Sequence, residues 1–484
     1  MRYCGYSEFM HDAGLAFIDG EGNIEYASHA ERYTKRKNDP NLPDVMLNMI
    51  RNDDHVTFYE NPSLRQSIPK YKGGREHKNS IARSVMYESL DYDDFIEHHV
   101  SHAAAGFYTR PWESSEDTVI LSIDGAGEEQ AMVVYDHNFN IIDQWYLPKS
   151  LGYMYGEATK LLGFRILEEE YIVMGMAAYG EPTHGKEILN FFNSLNGLSM
   201  RHKDNHLTKD VFHAYRPFLK NIYDVSGSEA DFAASVQYFA EQVIIERAKF
   251  CRKFGTKLIF TGGCAQNIVA CSMIRPMFDD MHVPIAPTDA GSALGAAAYA
   301  YGHQNNKGHI NWKGPYLGYN IERQLNPKDV AHYLVDHSYC GVANGPAEFG
   351  PRALGNRSLL ADPRRNIKDT VNQIKRRQLF RPFAPAILEE YASKYFEGPM
   401  NEYMQYTSKA MHDYKSVIHV DGTSRVQIVK KDCQSAIRPI LEEFYNLTGV
   451  PMLLNTSLNI RGKPIVNDEI DADDFEKRYS VKVF

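Results

Sequence analysis

Apolar residues alternate with turn-forming residues in two similar stretches of the chain, residues 2–28 and 117–146. Each stretch is typical of a strand, a turn that contains Gly or Asn, and a further strand. In both stretches an acidic residue follows the first strand. The repeat predicts a duplicated α/β domain, although two unrelated hairpins would produce the same pattern.

A long helix is predicted over residues 228–254. Its apolar residues recur every three or four positions and therefore share one helical face: Phe232, Val236, Phe239 and Val243. Ser228 is the expected N-cap and Gly255 the expected stop. Residues 256–267 then fit a buried strand that runs into a glycine turn. This alternation of helices and strands predicts a mostly parallel α/β architecture.

Gly, Asn and Pro are concentrated in residues 304–320. Such a composition is typical of a linker or a domain boundary. We therefore expect one domain over residues 1–318 and a second domain over residues 319–484.

Composition narrows the class of protein. Of 484 residues, 43% are hydrophobic and 24% are charged, which excludes global disorder and fibrous structure. The net charge of −9 argues against a protein held mainly by electrostatic attraction to nucleic acid. The six cysteines form no CxxC pair, so neither a disulfide framework nor a zinc ribbon is expected. Without a leader pattern or a run of about 18 apolar residues, we expect a soluble, cytoplasmic protein with no membrane partner.

Two histidines and two aspartates are candidate metal ligands. In a helix that begins near residue 98, His98 and His102 stand at positions i and i+4 on one face. Asp124 follows a predicted strand, and Asp289 lies where a strand would meet a Gly/Ala-rich helix. Two His and two Asp suit Fe, Mn or Zn better than Ca or Mg. A histidine cluster without a metal is the alternative, because the linear sequence does not decide whether the four side chains converge.

Three glycine turns, at residues 124–128, 260–267 and 289–295, follow predicted strands or begin helices. Backbone amides in such turns can contact an anion at a helix N-terminus. No turn matches the P-loop or Rossmann pattern, yet three turns in one domain favour a nucleotide cleft. We expect nucleotide contacts at Gly125, Gly262, Gly263 and Asn267, and a space-filling role for Cys264.

Cations in the C-terminal part of the chain are interrupted by Phe, Pro and Gly rather than by acids. They are Arg352, Arg357, Arg364, Lys375 and Arg381, with Arg425, Asn455 and Ser457 in later segments. A solvated helix face would alternate the sign of its charges, so this pattern favours a bound polyanion such as phosphate. A generic basic surface is the alternative.

These features resemble the O-carbamoyltransferases of the nodulation, cephamycin and aminoglycoside-antibiotic type. The matching motifs are HD (11–12), ERYTKRKND (31–39), EHHVSHAAA (97–105), SIDGAGE (122–128), VMGMAAYGEP (173–182), GGCAQN (262–267), EFGPRALGNRSLLADPR (348–364), FRPFAPAIL (380–388), HVDGTSRVQ (419–427) and LLNTSLNIRGKPIV (453–466). The resemblance implies a duplicated ribonuclease-H-like (ASKHA, Kae1-like) domain followed by an α/β YrdC-like domain.

The resemblance also implies the chemistry. ATP and carbamoyl phosphate would form a carbamoyl-adenylate in the YrdC-like domain, and the carbamoyl group would pass to a hydroxyl acceptor with release of AMP. Fe2+ or another divalent transition metal would bind His98, His102, Asp124 and Asp289, and Mg2+ would accompany ATP. Arg352, Lys375, Arg381, Arg425, Asn455 and Ser457 would hold carbamoyl phosphate and ATP. His11 and Lys37 would be catalytic, acting on the acceptor hydroxyl and the carbamoyl oxygen.

Some features depart from the family or leave choices open. Ile172 stands where the family usually carries a lysine, which puts a nucleotide or acceptor contact from that position in doubt. The chain is also shorter than many relatives and ends soon after LLNTS, so we expect a compact acceptor side. The acceptor is expected to be a sugar hydroxyl or a hydroxymethylated pyrimidine nucleotide or DNA, the latter suggested by the basic residues of 69–83. The alternatives are a threonylcarbamoyl-type transferase acting on tRNA adenosine, a metal-dependent hydrolase, and a nucleotide-gated binding module. The oligomeric state stays open.

Overall fold

The computed structural model of the chain describes residues 1–61, 92–195 and 207–484. Within it, two compact units are distinguished. Unit 1 comprises Met1–Ala30 and Asn38–Trp312, and unit 2 comprises Glu31–Lys37 and Lys313–Phe484. The division after Trp312 lies a few residues before the predicted boundary at residue 318. The assignment of Glu31–Lys37 to unit 2 was not predicted, because it depends on spatial packing.

Unit 1 contains two five-stranded sheets that repeat one plan. The first has β1 (Tyr3–Ser7), β2 (Gly14–Ile18), β3 (Ile24–His29), β4 (His55–Phe58) and β5 (Asp94–Phe95); the second has β6 (Thr118–Gly127), β7 (Gln130–Tyr135), β8 (Ile141–Tyr146), β9 (Lys257–Thr261) and β10 (Asp280–His282). Their orders are β3-β2-β1-β4-β5 and β8-β7-β6-β9-β10. Each is an antiparallel meander extended by two parallel strands. The predicted duplication is confirmed, but the mostly parallel architecture is wrong because the meanders pair antiparallel.

The described α-helices, in chain order, are α1 (Glu31–Thr34), α2 (Asp44–Leu47), α3 (His98–Thr109), α4 (Leu151–Leu161), α5 (Glu170–Ala177), α6 (Gly185–Ser194), α7 (Leu207–Val225), α8 (Glu229–Cys251), α9 (Ile268–Ile274), α10 (Asp289–Asn305), α11 (Pro327–His337), α12 (Lys368–Ile374), α13 (Glu389–Tyr395), α14 (Ile437–Thr448) and α15 (Glu469–Tyr479). Helix α8 confirms the predicted helix, and the Ser228 hydroxyl caps it by accepting a hydrogen bond from Asp231 N–H at 3.1 Å.

Among the described residues, no helix combines the length and apolar character needed to span a lipid bilayer.

Glycines allow α10 to approach its neighbours closely. A Cβ added at Gly295 would lie 1.9 Å from the backbone oxygen of Ser101, which is in α3. A Cβ added at Gly14 would lie 2.6 Å from the backbone oxygen of Ala290, at the start of α10. Neither position has room for a larger side chain. Glycine at these two positions therefore allows α10 to lie close to helix α3 and strand β2, which carry or adjoin residues of the candidate site.

Unit 2 is built on a five-stranded sheet of order β12-β14-β20-β15-β19. Its described strands are β11 (Tyr316–Ile321), β12 (Tyr339–Ala343), β13 (Gly345–Glu348), β14 (Arg357–Ala361), β15 (Ala384–Leu388), β16 (Phe396–Glu397), β17 (Ser408–Ala410), β18 (Thr423–Ser424), β19 (Gln427–Val429) and β20 (Met452–Ser457). In the main sheet, only β15 and β19 pair in parallel. Helices α11 and α14 pack against each other, and buried aliphatic residues of β14, β15 and β20 form the core.

Candidate functional site

Four side chains of unit 1 bring possible ligand atoms within 4.8 Å of one another. His98 and His102 come from the start of α3, Asp124 from β6, and Asp289 from the first position of α10. The Nε2 atom of His102 lies 3.0 Å from Asp124 Oδ2 and 3.5 Å from Asp289 Oδ1. The Nε2 atoms of the two histidines are 3.1 Å apart. The structure thus brings together the four residues that the sequence nominated as metal ligands.

Neighbouring groups orient this cluster. The hydroxyl of Ser292, in α10, lies 3.1 Å from His102 Nδ1, so the opposite ring nitrogen faces the cluster. The backbone N–H of Gly263 donates to Asp124 Oδ2 at 3.3 Å. His98 Nδ1 is buried without a hydrogen-bond partner among the described residues. Ring orientation by a second hydrogen bond is typical of histidines that bind metals.

Burial and mutual attraction set the protonation of the cluster. Burial opposes a charge on His102, but hydrogen bonds to Asp124 and Asp289 raise the pKa of its imidazole to about 9. Burial would raise the pKa of Asp124, but hydrogen bonds to the two histidines hold that pKa well below its usual range. A proton on His102 thus offsets negative charge on Asp124 and Asp289. A divalent cation could replace that proton, since metal binding displaces protons from its ligands.

His99 lies outside the cluster although it is next to His98 in sequence. Its ring nitrogens contact Ser122 Oγ at 2.8 Å and the Gln130 backbone oxygen at 3.0 Å. Burial, with repulsion from His98, lowers the pKa of His99 to about 3. A neutral imidazole with two such contacts joins α3 to the second sheet.

The two residues expected to be catalytic fall in different units. His11 Nε2 lies 3.5 Å from Asp289 Oδ2, so Asp289 faces the histidine pair with one oxygen and His11 with the other. Lys37 belongs to the Glu31–Lys37 segment of unit 2. Its ammonium donates to both carboxylate oxygens of Glu31, at 2.8 and 2.9 Å. A role for Lys37 at a carbamoyl oxygen would require this ion pair to open.

The glycine turn after β9 lies beside Asp124. Gly262 has φ of 82°, in the left-handed region, and a Cβ there would be 2.3 Å from the backbone oxygen of Ile123. Glycine is therefore required at this position. Gly125 N–H donates to the Asp124 side chain at 2.6 Å, as Gly263 N–H does from the other turn. The predicted nucleotide turns thus adjoin the candidate metal cluster.

Asn267 has a structural arrangement that the sequence did not reveal. Its side chain exchanges two hydrogen bonds with Gln237 of α8, both at 3.1 Å. Its Oδ1 also accepts from Ala270 N–H and caps α9. These contacts engage the amide within the protein, and they do not support the expected nucleotide contact from this side chain.

Unit 2 contains a buried lysine surrounded by neutral oxygens. Lys375, 3% exposed, donates to the Ser457 backbone oxygen, to Ser457 Oγ at 3.3 Å, and to the backbone and side-chain oxygens of Asn459, both at 2.9 Å. Burial, then repulsion from Arg377 and Arg381, puts the pKa of Lys375 well below its usual range. Burial and the neighbouring arginines therefore disfavour the charged form of Lys375, and a bound anion would favour that form.

Arg425 extends this cationic cluster. Its Nε atom is buried without a hydrogen-bond partner among the described residues. Burial, then repulsion from other guanidinium groups, puts the pKa of Arg425 well below its usual range; the groups are Arg352, Arg377 and Arg381. The structure therefore gathers the predicted Arg352, Lys375, Arg381 and Arg425 into one region of unit 2. Arg377 joins them, and the sequence interpretation missed it although it lies between Lys375 and Arg381 in the chain.

Glu348 shapes the loop that carries Arg352. Its buried Oε1 accepts three backbone hydrogen bonds, from Leu354 at 2.7 Å, Asn356 at 2.8 Å and Arg357 at 3.2 Å. One carboxylate oxygen thus closes the turn from Glu348 to Arg357. Charge-assisted bonds of this kind are stronger than bonds between neutral groups.

Two other cations of the predicted group have partners close by. Arg357 is fully buried and donates only to backbone oxygens, those of Tyr319, Asn344, Gly345, Asn356 and Asn467. Arg364 forms an ion pair with Asp362 at 2.7 Å. The interpretation of Arg357 as a phosphate ligand is wrong because backbone oxygens occupy its guanidinium donors. Only Nε and Nη2 of Arg364 contact Asp362, so its interpretation as a phosphate ligand stays a prediction.

Asn455 and Ser457 support the cationic cluster from β20. The Asn455 amide is 1% exposed and donates to Ala353 O at 3.2 Å and Gln427 Oε1 at 2.7 Å, so it fixes the residue after Arg352. Ser457 Oγ donates to the Asn459 side chain at 2.7 Å and lies beside Lys375. These contacts make both residues supports for the cations.

The two remaining sequence observations have different outcomes. Ile172, at the position of the usual family lysine, is buried in α5. The basic stretch 69–83, which suggested an anionic acceptor, lies outside the described residues.

Comparison with known proteins identifies the family. Family models described as Carbamoyltransferase N-terminus and Carbamoyltransferase C-terminus match residues 61–298 and 331–484. The nodulation protein NolO of Bradyrhizobium diazoefficiens is 31% identical, over 78% of this chain and 75% of that protein. The nodulation protein NolNO of Sinorhizobium fredii is 29% identical, over 96% of this chain and 76% of that protein.

Solved structures show more distant likeness. The activator of the 2-hydroxyisocaproyl-CoA dehydratase from Clostridium difficile is 17% identical, with a TM-score of 0.35, over 64% of this chain and all of that one. Full-length HypF is 13% identical, with a TM-score of 0.34, over 64% of this chain and 56% of that one. The two family models together span most of the chain. The chain therefore belongs to the carbamoyltransferase family and is a transferase, as its motifs predicted.

Proposed function

We propose that the protein is an ATP-dependent O-carbamoyltransferase. Unit 2, to which we assign a YrdC-like fold, would form a carbamoyl-adenylate, and unit 1, to which we assign a Kae1-like fold of the ASKHA class, would transfer the carbamoyl group to a hydroxyl. The cationic cluster of unit 2 carries this proposal, because its members disfavour each other's charge in the absence of an anion. ATP and carbamoyl phosphate are polyanions that repel each other, and such a cluster would offset that repulsion.

Activation in unit 2 requires water to balance. Water would cleave carbamoyl phosphate to carbamate and inorganic phosphate. A carbamate oxygen would then attack the α-phosphorus of ATP, and pyrophosphate would leave with the electron pair of the broken P–O bond. Lys375 and the arginines would neutralise the phosphate oxygens in both steps, with Mg2+ accompanying ATP.

Transfer in unit 1 would use the cluster of two histidines and two aspartates. Two imidazole nitrogens and two carboxylate oxygens, close enough to share one ion, fit Fe2+ or another divalent transition metal. Such an ion, when bound, would polarise the carbamoyl carbonyl as a Lewis acid. His11 would accept the proton of the acceptor hydroxyl as its oxygen forms the bond to the carbamoyl carbon, and the C–O bond to AMP would break. The turns at Gly125, Gly262 and Gly263 would receive the nucleotide.

The acceptor belongs to one of two chemical classes, a sugar hydroxyl or the hydroxymethyl group of a modified pyrimidine nucleotide or DNA. Both offer an alcohol to the same carbonyl carbon. The family supports the transferred group and leaves the alcohol open, so an acceptor panel must decide.

The test separates the two half-reactions. With ATP and carbamoyl phosphate together, we expect AMP after transfer and pyrophosphate after activation, and neither product when one substrate is omitted. Mass spectrometry of the acceptor panel should show the gain of one carbamoyl group. Release of ADP, or nucleotide turnover without carbamoyl phosphate, would contradict the proposal.

Variants assign the half-reactions to the two sites. Lys375→Ala should abolish pyrophosphate release, whereas Lys394→Ala, at an exposed lysine of α13 in the same unit, should leave it unchanged. His11→Ala should retain pyrophosphate release and lose carbamoyl transfer. The reverse pattern would exchange the roles assigned to the two units.

A further inference from the structure

We infer that Asp12 is a positioning residue that sets His11 against Asp289 for carbamoyl transfer. The inference rests on the proposed function, because it concerns the group expected to receive the acceptor proton. Asp12 follows His11 in the turn between β1 and β2. Its carboxylate joins that turn to the end of β3 and to the residue before Asp289.

The carboxylate of Asp12 makes two contacts through different oxygens. Oδ1 lies 3.0 Å from His29 Nδ1, at the last position of β3. Oδ2 accepts a hydrogen bond from the Thr288 hydroxyl at 2.6 Å. Asp12 and His29 are both buried, so water competes little for these bonds. A short bond to a buried carboxylate is among the stronger hydrogen bonds in proteins.

The backbone around Asp12 is held as firmly as its side chain. Asp12 has φ of 56°, a left-handed conformation that Asp tolerates better than most residues. Its N–H donates to Asn38 O at 3.3 Å, and the next N–H, of Ala13, donates to Asp39 O at 2.9 Å. Gly14 then brings β2 against the start of α10. These backbone contacts place Asp12 where its carboxylate reaches Thr288.

These contacts act on the neighbours of both functional groups. Asp12 directly follows His11 in the chain, and Thr288 directly precedes Asp289. The Asp12–Thr288 hydrogen bond therefore joins the same two segments as the 3.5 Å contact between His11 and Asp289. Proton transfer depends steeply on such separations. The Asp12 carboxylate is thus placed to fix the proposed general base His11 against Asp289.

Thr288 provides the sharpest test, because valine matches its shape and serine keeps its hydroxyl. Thr288→Val should slow single-turnover carbamoyl transfer about 10-fold or more, while pyrophosphate release stays within about 2-fold of wild type. Thr288→Ser should stay within about 3-fold of wild type in both half-reactions. Thr109→Val is the control, since this buried threonine ends α3 about 16 Å from His98 along the helix axis.

Cobalt(II) binding provides a readout that does not need the proposed reaction. Thr288→Val should weaken cobalt(II) binding about 10-fold, because the lost bond anchors the residue that precedes Asp289, and Thr288→Ser should not. If the wild-type protein forms no carbamoyl-adenylate, the proposed function fails, and the cobalt(II) comparison still decides the role of the contact.

The inference is overturned if Thr288→Val transfers the carbamoyl group at the wild-type rate. It is also overturned if Thr288→Val, Thr288→Ser and the control Thr109→Val all lose transfer activity equally. A general loss of folding would lower both half-reactions together. Should Thr288→Val fail to fold, Asp12→Asn takes its place with the same thresholds, since the amide keeps the volume and removes the charge that strengthens the bond to Thr288. Normal transfer and normal cobalt(II) affinity in that variant would equally overturn the inference.

Discussion

The loop that carries Arg352 should depend on the charge of Glu348. Glu348→Gln keeps the shape of the side chain and an oxygen for the three backbone N–H donors of Leu354, Asn356 and Arg357. It removes the negative charge that strengthens those bonds. It also places an NH2 group at Oε2, which is buried without a hydrogen-bond partner among the described residues.

The magnitude follows from the three bonds. A hydrogen bond to a charged group contributes about 1 kcal/mol more than a neutral one, so the loss is about 3 kcal/mol in the free energy of unfolding of unit 2. A buried unsatisfied NH2 donor adds about 1 kcal/mol or more. The two losses together are about 4 kcal/mol, which for a domain of this size lowers the melting temperature by about 8–16 °C. The loosened loop should also raise the KM for carbamoyl phosphate about 10-fold, with kcat less affected.

The assay can separate the units because Trp112, Trp145 and Trp312 all belong to unit 1. Tryptophan fluorescence therefore follows unit 1, whereas far-ultraviolet circular dichroism follows both units. Glu348→Gln should shift the dichroism transition and leave the fluorescence transition in place. Glu397→Gln is the control, since Glu397 is exposed and only 3.9 Å from Lys409 in a surface pair that should contribute less than about 1 kcal/mol.

One result would refute the reasoning. If Glu348→Gln destabilises unit 2 no more than Glu397→Gln does, the charge on Glu348 does not strengthen the turn. An unchanged KM for carbamoyl phosphate, with the expected loss of stability, would separate the turn from anion binding.

Three further predictions concern unit 1. Burial raises the pKa of Glu8 to about 7, so the native state binds a proton that the unfolded state releases. The free energy of unfolding should therefore fall by about 1.4 kcal/mol per pH unit as the pH rises from about 4.5 through 7. Glu8→Gln should flatten this slope when unfolding is followed by fluorescence. Gly295→Ala should separate α10 from Ser101 of α3, and cobalt(II) titration should show weaker binding, whereas an unchanged affinity would mean that the helices adjust. A divalent metal at 100 times its Kd should stabilise the wild-type protein by about 3 kcal/mol and raise its melting temperature, and His102→Gln should abolish this rise. Equal rises in both proteins would exclude the cluster as the metal site.

Much of the local structure could be predicted because it depends on neighbours in sequence. The hairpin repeat indicated the duplicated sheets, and the spacing of apolar residues between Ser228 and Gly255 indicated α8 with its N-cap. The pairing of His98 with His102 is of the same kind, since four residues complete about one helical turn.

The sequence was less informative about side chains whose partners are distant along the chain. Arg357 looked like a phosphate ligand because no acid lies near it in sequence, yet backbone oxygens from residues 319–467 bind its guanidinium. Asn267 looked like part of a nucleotide turn, yet Gln237 of α8 binds its amide. Residue type indicates that a group is polar and does not indicate which partner satisfies it.

Sequence periodicity and motifs predicted the family, the duplicated plan and the residues worth testing. Only the tertiary structure decided that Asp124 and Asp289, separated by most of unit 1, meet the two histidines, and that Glu31–Lys37 belongs to unit 2. The physical reason is that hydrogen bonds and ion pairs depend on distances in space, which chain order constrains only within a turn of helix or a hairpin. For the same reason the contact between Asp12 and Thr288 could be found only once the fold had brought the two ends of unit 1 together.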